Sequence, residues 1–470
     1  MPDDTSPDAR PEPNSGIRIT NTSADKLARR NAIIAYCTNP EFRGQNPPTV
    51  LEFRDIRGTW FEKLIWTERT DKKGFTVLAI KKTPTNAAVI LENDPRWRDC
   101  LMYDEFAEDN LLCGAPPWLD ESRADDRPGS RGRPWLDSDA TAISGWLERV
   151  YGIQIGRDPT FAAMVLASER NRRHPVRDYL RSTKWDAKQR LPWLISRYFG
   201  GADTEYTRAI GLRWMISAVA RIFEPGCQAD CVLVLEAPQG WGKTSAFRAL
   251  VPFRHWYADT GINMGDKDSY QALHGVWIYG LDELDSLRRS ERTRTKNFLT
   301  QTIDRYRPSY GRTTKSVPRQ NVFCGTTNEE AYLDDTANRR FWPVRLICQI
   351  LPAVIAEDRD QLWAEAVARY DSGERWYADT AELRALCEAE QDARRTEDAW
   401  VSAVRIWIDR RVDHSAGYST FEVLTEALEI EPGRVTKSDS MRAANVLHDL
   451  GFRTVKRNQV GHVRERRYFR

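Results

Sequence analysis

Eight residues near the middle of the chain carry its clearest chemistry: Ala237-Pro-Gln-Gly-Trp-Gly-Lys-Thr244. A phosphate-binding loop reads G-x-x-x-x-G-K-[ST]. Gly240, Gly242, Lys243 and Thr244 are in place, and Ala237 stands where the pattern has its first glycine. Successive backbone N–H groups in a glycine-bent turn form a nest for anions. A helix that starts there adds the partial positive charge of its N-terminus. Lys243 is then placed to reach the β- and γ-phosphates of a nucleotide, and Thr244 to ligate Mg²⁺. Alanine at 237 removes some loop freedom but no ligand. The expected ATP-binding set is Gly240, Trp241, Gly242, Lys243, Thr244 and Ser245.

Three further groups fit the same chemistry. Val276 to Glu283 is an apolar run ending in two adjacent carboxylates. In Walker B logic, Asp282 holds the Mg²⁺ shell with Thr244, and Glu283 polarises the attacking water. Asn321 to Asn328 is a second apolar run with a polar end, and Asn328 there is suited to orient water against a γ-phosphate, the role called sensor 1. Arg339 and Arg340 follow, next to Phe341 and Trp342. An arginine anchored by packed aromatics suits reaching into a neighbour's site, where it stabilises charge developing on the γ-phosphate. Either arginine fits that role.

A basic segment lies between these runs. Asp304 to Gln320 contains Arg305, Arg307, Arg312, Lys315 and Arg319 against one acid, with Gly311 in mid-segment. It reads as a β-hairpin with Arg312 and Lys315 near the tip, suited to contact a nucleic-acid backbone in a central channel. The last forty residues hold ten Lys/Arg against four acids. The chain as a whole has 70 basic and 68 acidic residues, so a near-neutral total conceals a basic end. That end favours DNA binding or docking to a partner that tolerates basic charge.

The elements needed to position these groups are legible in the surrounding sequence. Cys231 to Leu235 is a short continuous apolar run, as in a buried parallel strand, and strands alternate with helices to about Ile350. The fold class expected is α/β, in seven segments. Residues 1–26 form a Pro- and Asp-rich tail, 27–112 a small α+β domain and 113–138 a linker. Residues 139–226 are helical, 227–350 form the phosphate-loop core and 351–415 a helical lid. Residues 416–470 give two helices and then an Arg-rich strand-like tail, the order of a winged helix.

Composition bounds the rest. The 470 residues are 29% charged and contain no apolar run near the roughly 18 needed to span a membrane. The acidic, Pro-rich start is unlike a signal or transit peptide, so a cytoplasmic location is expected. Eight scattered cysteines read as reduced thiols, and Cys227 and Cys231 lack a second pair at zinc spacing. Seventeen tryptophans are expected mainly in packing.

Together these motifs resemble the virulence-associated E family of phage and mobile-element proteins, which are similar to superfamily 3 helicases, a branch of AAA+ ATPases. The resemblance runs from about His174 to Arg345. It is carried by His174 to Leu180 with Lys184-Trp-Asp186, Phe223-Glu-Pro-Gly226, the phosphate loop, Leu281-Asp-Glu-Leu284, Asp304 to Pro308 with Tyr310-Gly-Arg312, Gly325 to Asn328, and Asn338 to Val344. Thr85 to Asp94 resembles the segment that often precedes the helicase core in phage proteins. The chain departs from the family at Ala237, and residues 1–140 show no polymerase-type carboxylate motif.

The resemblance implies an AAA+ P-loop core with a helical collar or lid. It also implies a homo-oligomeric ring, commonly a hexamer, with ATP sites shared between subunits. Arg339 or Arg340 would be the trans-acting finger, and the hairpin with Arg312 and Lys315 would grip one DNA strand in the pore. Duplex DNA would meet the C-terminal domain. The function expected is an ATP- and Mg²⁺-dependent DNA helicase or translocase in replication of a phage, prophage or genomic island. Two other readings are a DNA-binding initiator or interaction protein that uses nucleotide without unwinding, and an ATPase switch in phage interference.

Overall fold

The computed structural model describes residues 31, 58–70, 76–114, 116–117, 132–260, 267–281, 294–295, 297–307, 314–333, 338–395, 398–411, 414, 416–455 and 466–470. The chain divides into two compact units. One takes in residues up to Lys184 with Phe253–Trp256 and Tyr270–Trp277; the other holds Trp185–Pro252, Tyr257–Ser269 and Ile278–Arg470.

In the first unit, β1 (Trp66–Thr70) and β2 (Thr76–Ile80) pair antiparallel, with Trp66 opposite Ile80. Helix α1 (Pro84–Asn93) starts where the Thr83 hydroxyl accepts from the Asn86 N–H and Pro84 fixes the first turn. The buried Asn86 amide clamps the hairpin to the helix: it accepts from the Ile65 N–H at 2.8 Å and donates to the Ile65 and Lys81 carbonyls, both at 2.8 Å. Strands β3 (Leu101–Asp104), β4 (Asp109–Leu112), β5 (Arg133–Pro134) and β6 (Arg172–Arg173) form a sheet in the order β5-β4-β3-β6.

The segment read as a linker, 113–138, therefore closes on a paired strand and the first residues of α2 (Asp137–Tyr151). Asp139 explains that start. Its carboxylate accepts from the Leu136 N–H at 2.7 Å and from both Arg133 guanidinium nitrogens at 2.7 and 2.6 Å. Helix α2 packs with α3 (Arg157–Arg170) and α1 around Ile90, Trp97, Ile143, Trp146 and Met164. Helix α4 (Pro175–Ser182) ends the run. Tryptophan serves packing here, as the composition leads one to expect: Trp256 and Trp277 are fully buried, 6.1 Å apart and edge-on.

The second unit is built on α5 (Glu205–Phe223) and a parallel sheet. Helix α5 is capped by Thr204 and Thr207 and is apolar on nearly every face, so it is buried nearly all round. The sheet strands are β7 (Val232–Glu236), β8 (Tyr257–Ala258), β9 (Ile278–Leu281), β12 (Val322–Thr327) and β13 (Phe341–Arg345), in the order β13-β7-β12-β9-β8. Every pairing is parallel. Continuous apolar strands buried on both faces are what such a sheet demands. Between β9 and β12 lies the antiparallel pair β10 (Ile303–Tyr306) and β11 (Lys315–Pro318).

Register aligns the strand ends. Gly325 of β12 is opposite both Val234 of β7 and Leu281 of β9, and Thr327 is opposite Glu236. The chain thus leaves β7, β9 and β12 at one carboxyl edge, where α/β sheets bind their ligands. Helix α6 (Lys243–Ala249) follows β7; α7 (Pro352–Asp371) and α8 (Ala381–Asp392) follow β13. Trp363 of α7 donates its indole N–H to the Leu250 carbonyl at 2.7 Å, tying α7 to the end of α6.

The C-terminal stretch runs α9 (Ala399–Asp409), β14 (Tyr418–Ser419), α10 (Thr420–Glu422, continued by a π turn over Val423–Ala427), α11 (Lys437–Asp449), β15 (Arg453–Val455) and β16 (Arg467–Phe469). Its three strands pair antiparallel in the order β14-β16-β15 over a core of Val404, Leu424, Val446, Leu447 and Tyr468. The protein is thus a mixed α/β chain with a parallel sheet and many helices. Among the described residues, no helix is long and apolar enough to cross a membrane.

Candidate nucleotide site

The segment after β7 turns on two glycines. Gly240 and Gly242 both have φ +84°, in the left-handed region that residues with a Cβ rarely adopt. A Cβ at Gly242 would make ordinary contact with Ile350, 3.4 Å from its carbonyl oxygen, so at both positions it is the backbone conformation that calls for glycine. Ile350 in turn donates its N–H to the Trp241 carbonyl at 3.1 Å, so the segment after β13 braces the loop. The loop delivers the chain into α6 with Lys243 as its first residue. Thr244 is half-buried at the next position, and Ser245 is exposed.

Lys243 is buried, and its ammonium is the hub of the loop. It donates to the Ala237 carbonyl, to the Pro238 carbonyl at 3.2 Å and to the Asn328 side-chain oxygen at 2.8 Å. Asn328 follows β12 directly and is itself exposed. Two residues singled out from separate stretches of sequence therefore meet, 85 positions apart. Ala237 is buried, and its N–H donates to the Thr327 carbonyl at 3.3 Å, so the loop is tied to β12 at its start as well.

The other expected site residues divide. Asp282 and Glu283 lie outside the described residues; β9, which leads to them, ends at Leu281. Arg339 and Arg340 sit in a single 3₁₀ turn over Asn338–Arg340, anchored by buried Phe341 and Trp342 at the start of β13. Their environments differ. Arg340 is paired to Asp230 at 3.3 Å, whereas Arg339 is exposed. Lys315 is exposed and opens β11, opposite Tyr306; Arg312 lies outside the described residues.

Arg319, counted above within the basic segment, is fully buried at the base of that hairpin. Its guanidinium binds both Asp304 carboxylate oxygens, the Phe298 carbonyl and, at 3.3 Å, the Gln301 side chain. Its charge is spent inside the fold and is not offered to a ligand. The hairpin register brings these partners together, and the sequence gives no hint of that.

One group beside the site escaped the sequence reading. Glu236, the last residue of β7, is buried. Arg394, just beyond α8, grips its carboxylate with Nε at 3.0 and 3.1 Å, and the Tyr332 hydroxyl donates to it at 2.9 Å. Burial pushes the Glu236 carboxyl up, with Arg394 holding against it. The Arg394 carbonyl also accepts from the Tyr332 and Leu333 N–H groups, both at 3.1 Å. The strand before the phosphate loop, the segment after Asn328 and the end of α8 are thereby joined at one ion pair. An acid closing a strand and an arginine 158 positions later leave no local signature.

No cluster of His, Cys, Asp and Glu suited to a metal occurs among the described residues. Cys227 and Cys231 are free thiols, and burial pushes Cys227 up to about 11.

The family model for the virulence-associated protein E-like domain matches residues 180–396. The matched span holds the parallel sheet, the glycine-bent loop, Lys243, Asn328, Arg339 and the Glu236–Arg394 pair. No curated protein matches the chain. Among solved structures, the apo C-terminal region of NrS-1 (305–718) is similar at 12% identity, over 83% of this chain and 99% of that one, with a TM-score of 0.45. The A form of the same apo region gives 12% identity, 83% and 100% coverage and a TM-score of 0.42.

Proposed function

We propose that the chain is an ATP- and Mg²⁺-dependent DNA helicase or translocase acting in replication of a phage, prophage or genomic island, as a homo-oligomeric ring with an AAA+ P-loop core. The observation that carries this reading is the loop Gly240–Lys243: two left-handed glycines open the backbone, and the buried lysine ammonium is held within reach of Asn328. Glycines that exclude Cβ atoms and a lysine beside the opened backbone suit polyphosphate. The virulence-associated protein E-like domain adds the mobile-element context.

In this reading Gly240, Trp241, Gly242 and Ser245 contribute to the phosphate cradle and Lys243 neutralises phosphate charge. Thr244 and Asp282 hold Mg²⁺, and Glu283 takes a proton from the attacking water while Asn328 orients it. Arg339, exposed and anchored from behind, is the arginine free to enter a neighbouring subunit; Arg340 is engaged by Asp230. Bound nucleotide with its metal would supply the transferable phosphoryl group. Lys315 and Arg312 would hold the strand in the pore.

The deciding experiment measures ATP hydrolysis and displacement of a strand from a forked duplex, for the wild type and Lys243→Ala. Both activities are expected in the wild type and neither in the variant, whose circular dichroism should show the fold retained even though the loss of the buried ammonium's hydrogen bonds lowers its melt. Hydrolysis retained by Lys243→Ala would refute the site. Hydrolysis without displacement would favour an initiator or switch over a helicase.

A further inference from the structure

Glu236 holds both ends of the short stretch that carries Asn328. At the near end its backbone lies opposite Thr327 in the sheet register, and the next N–H, of Ala237, donates to the Thr327 carbonyl at 3.3 Å. At the far end its carboxylate accepts from the Tyr332 hydroxyl at 2.9 Å. Asn328, Glu329, Glu330 and Ala331 between these points are exposed, whereas Tyr332 and Leu333 are each only 3% exposed. The chain thus leaves the sheet after Thr327, crosses the surface for four residues and is buried again at Tyr332.

The far end is firmly held. The Tyr332 and Leu333 N–H groups both donate to the Arg394 carbonyl at 3.1 Å, and Leu333 pairs with Arg395 in a single parallel bridge. Arg394 grips Glu236 in turn, and its helix is fixed to β13 by Gln391, whose side-chain amide donates to the Phe341 carbonyl at 2.9 Å. Burial and the Glu236 charge push the Tyr332 hydroxyl well above its ordinary range, so it stays protonated and donates. Ties within the exposed stretch are weaker. The Glu329 N–H donates to the Thr327 hydroxyl at 3.1 Å, and Glu330 pairs with Arg345 at the surface, where an ion pair adds little. A bridge this short between two fixed ends has few conformations, so the placement of its ends decides where Asn328 points. Asn328 is its first residue, and its side-chain oxygen takes the Lys243 ammonium at 2.8 Å.

We infer that Tyr332 is a positioning residue for Asn328: its hydroxyl, received by Glu236 and backed by Arg394, fixes the Asn328–Ala331 bridge in the closure that sets the Asn328 amide against the Lys243 ammonium. The consequence for turnover rests on the ATPase reading above; the consequence for the bridge does not.

Tyr332→Phe in the full chain removes the hydroxyl and keeps the buried ring. ATP turnover is expected to fall on the order of tenfold, less than the roughly 100-fold that a 1 Å misplacement can cost. Equilibrium binding of a fluorescent ADP should stay within twofold, because Lys243 keeps its bonds to the Ala237 and Pro238 carbonyls. In an Asn328→Ala background the same change is expected to alter turnover less than twofold, since the group it positions is gone. Turnover unchanged by Tyr332→Phe, or reduced tenfold in both backgrounds, overturns the inference. Hydrogen–deuterium exchange without nucleotide reads the bridge directly. Amides of 328–333 are expected to exchange about fivefold faster in Tyr332→Phe, and those of β7 and β12 at the wild-type rate. Unchanged exchange in 328–333 overturns the inference, and so does faster exchange throughout β7 and β12, which would make Tyr332 a packing residue of the sheet. Should the wild type hydrolyse no ATP, the ATPase reading fails and the exchange result alone decides the role of Tyr332.

Discussion

The Lys243 ammonium and the Asn328 side-chain oxygen are 2.8 Å apart, joining the first residue of α6 to the residue that follows β12. The contact ties the phosphate loop to a neighbouring strand through a single charged hydrogen bond, of the kind roughly twice as strong as a neutral one. It means that anything drawing the ammonium toward a phosphate also changes what Asn328 is bonded to. The amide is exposed, so on release it is available to water or substrate.

Asn328→Ala should therefore damage turnover more than binding. Loss of one preorganised polar group commonly costs about 100-fold in rate. Lys243 keeps its bonds to the Ala237 and Pro238 carbonyls, so ADP affinity should stay within threefold. Steady-state hydrolysis beside equilibrium binding of a fluorescent ADP separates the two effects. Equal losses in both would mean that Asn328 only shapes the loop.

The two loop glycines should respond alike to alanine in stability. Both carry φ +84°, for which a side chain costs about 1–2 kcal/mol. At Gly242 the new Cβ would make only ordinary contact with Ile350, and at Gly240 nothing lies within 4 Å. Gly240→Ala and Gly242→Ala are each expected to lower stability by about 1–2 kcal/mol in urea unfolding and to weaken ATP binding in calorimetric titration; unchanged stability in either would mean that the loop does not need its left-handed backbone there.

Much of this site was legible in sequence because its signals are local. Val232 to Leu235 reads as a buried strand, and the loop and lysine follow within eight residues. The pairing of β10 with β11 follows from composition around Gly311 in the same way. What the sequence withholds is long-range pairing. Arg319 belongs to a basic run, yet it folds inward because Asp304 and Phe298 close on it. Glu236 looks like a solvated strand end until Arg394 arrives from beyond α8. The same limit hides the contrast between Arg339 and Arg340, which Asp230 alone decides. Helices α2 to α4 fall in the first compact unit although they read continuously with α5, because unit membership depends on which apolar faces meet.

The Glu236–Arg394 pair should be a stability element of the phosphate loop. Both side chains are close to fully buried, at 6% and 11% exposure, so solvent screens them little. Removing Arg394 strands a buried carboxylate, which commonly costs 3–5 kcal/mol. Glu236→Gln removes the charge, keeps an acceptor for Tyr332 and should cost about 1–2 kcal/mol. Arg394→Met combined with Glu236→Gln should therefore be more stable than Arg394→Met alone, by urea denaturation. A double variant less stable than Arg394→Met would mean that Glu236 is not the charge Arg394 answers.

Arg339 and Arg340 can be told apart by mixing. If Arg339 enters a neighbour's site, Arg339→Ala should abolish hydrolysis in the assembled protein without lowering its melting temperature, since the side chain is exposed. Arg340→Ala should instead affect stability, by about 1–3 kcal/mol, because it leaves the mostly buried Asp230 carboxylate without its guanidinium. Neither Lys243→Ala nor Arg339→Ala should turn over alone. In a ring of head-to-tail contacts, equal mixing of the two leaves half the sites with an intact lysine, and half of those beside an intact arginine, so about a quarter of the wild-type rate should return. Recovery requires subunit exchange, which fluorescence transfer between labelled subunits reports separately. Exchange without recovered hydrolysis would place Arg339 in its own subunit's site and leave no residue here to act in trans.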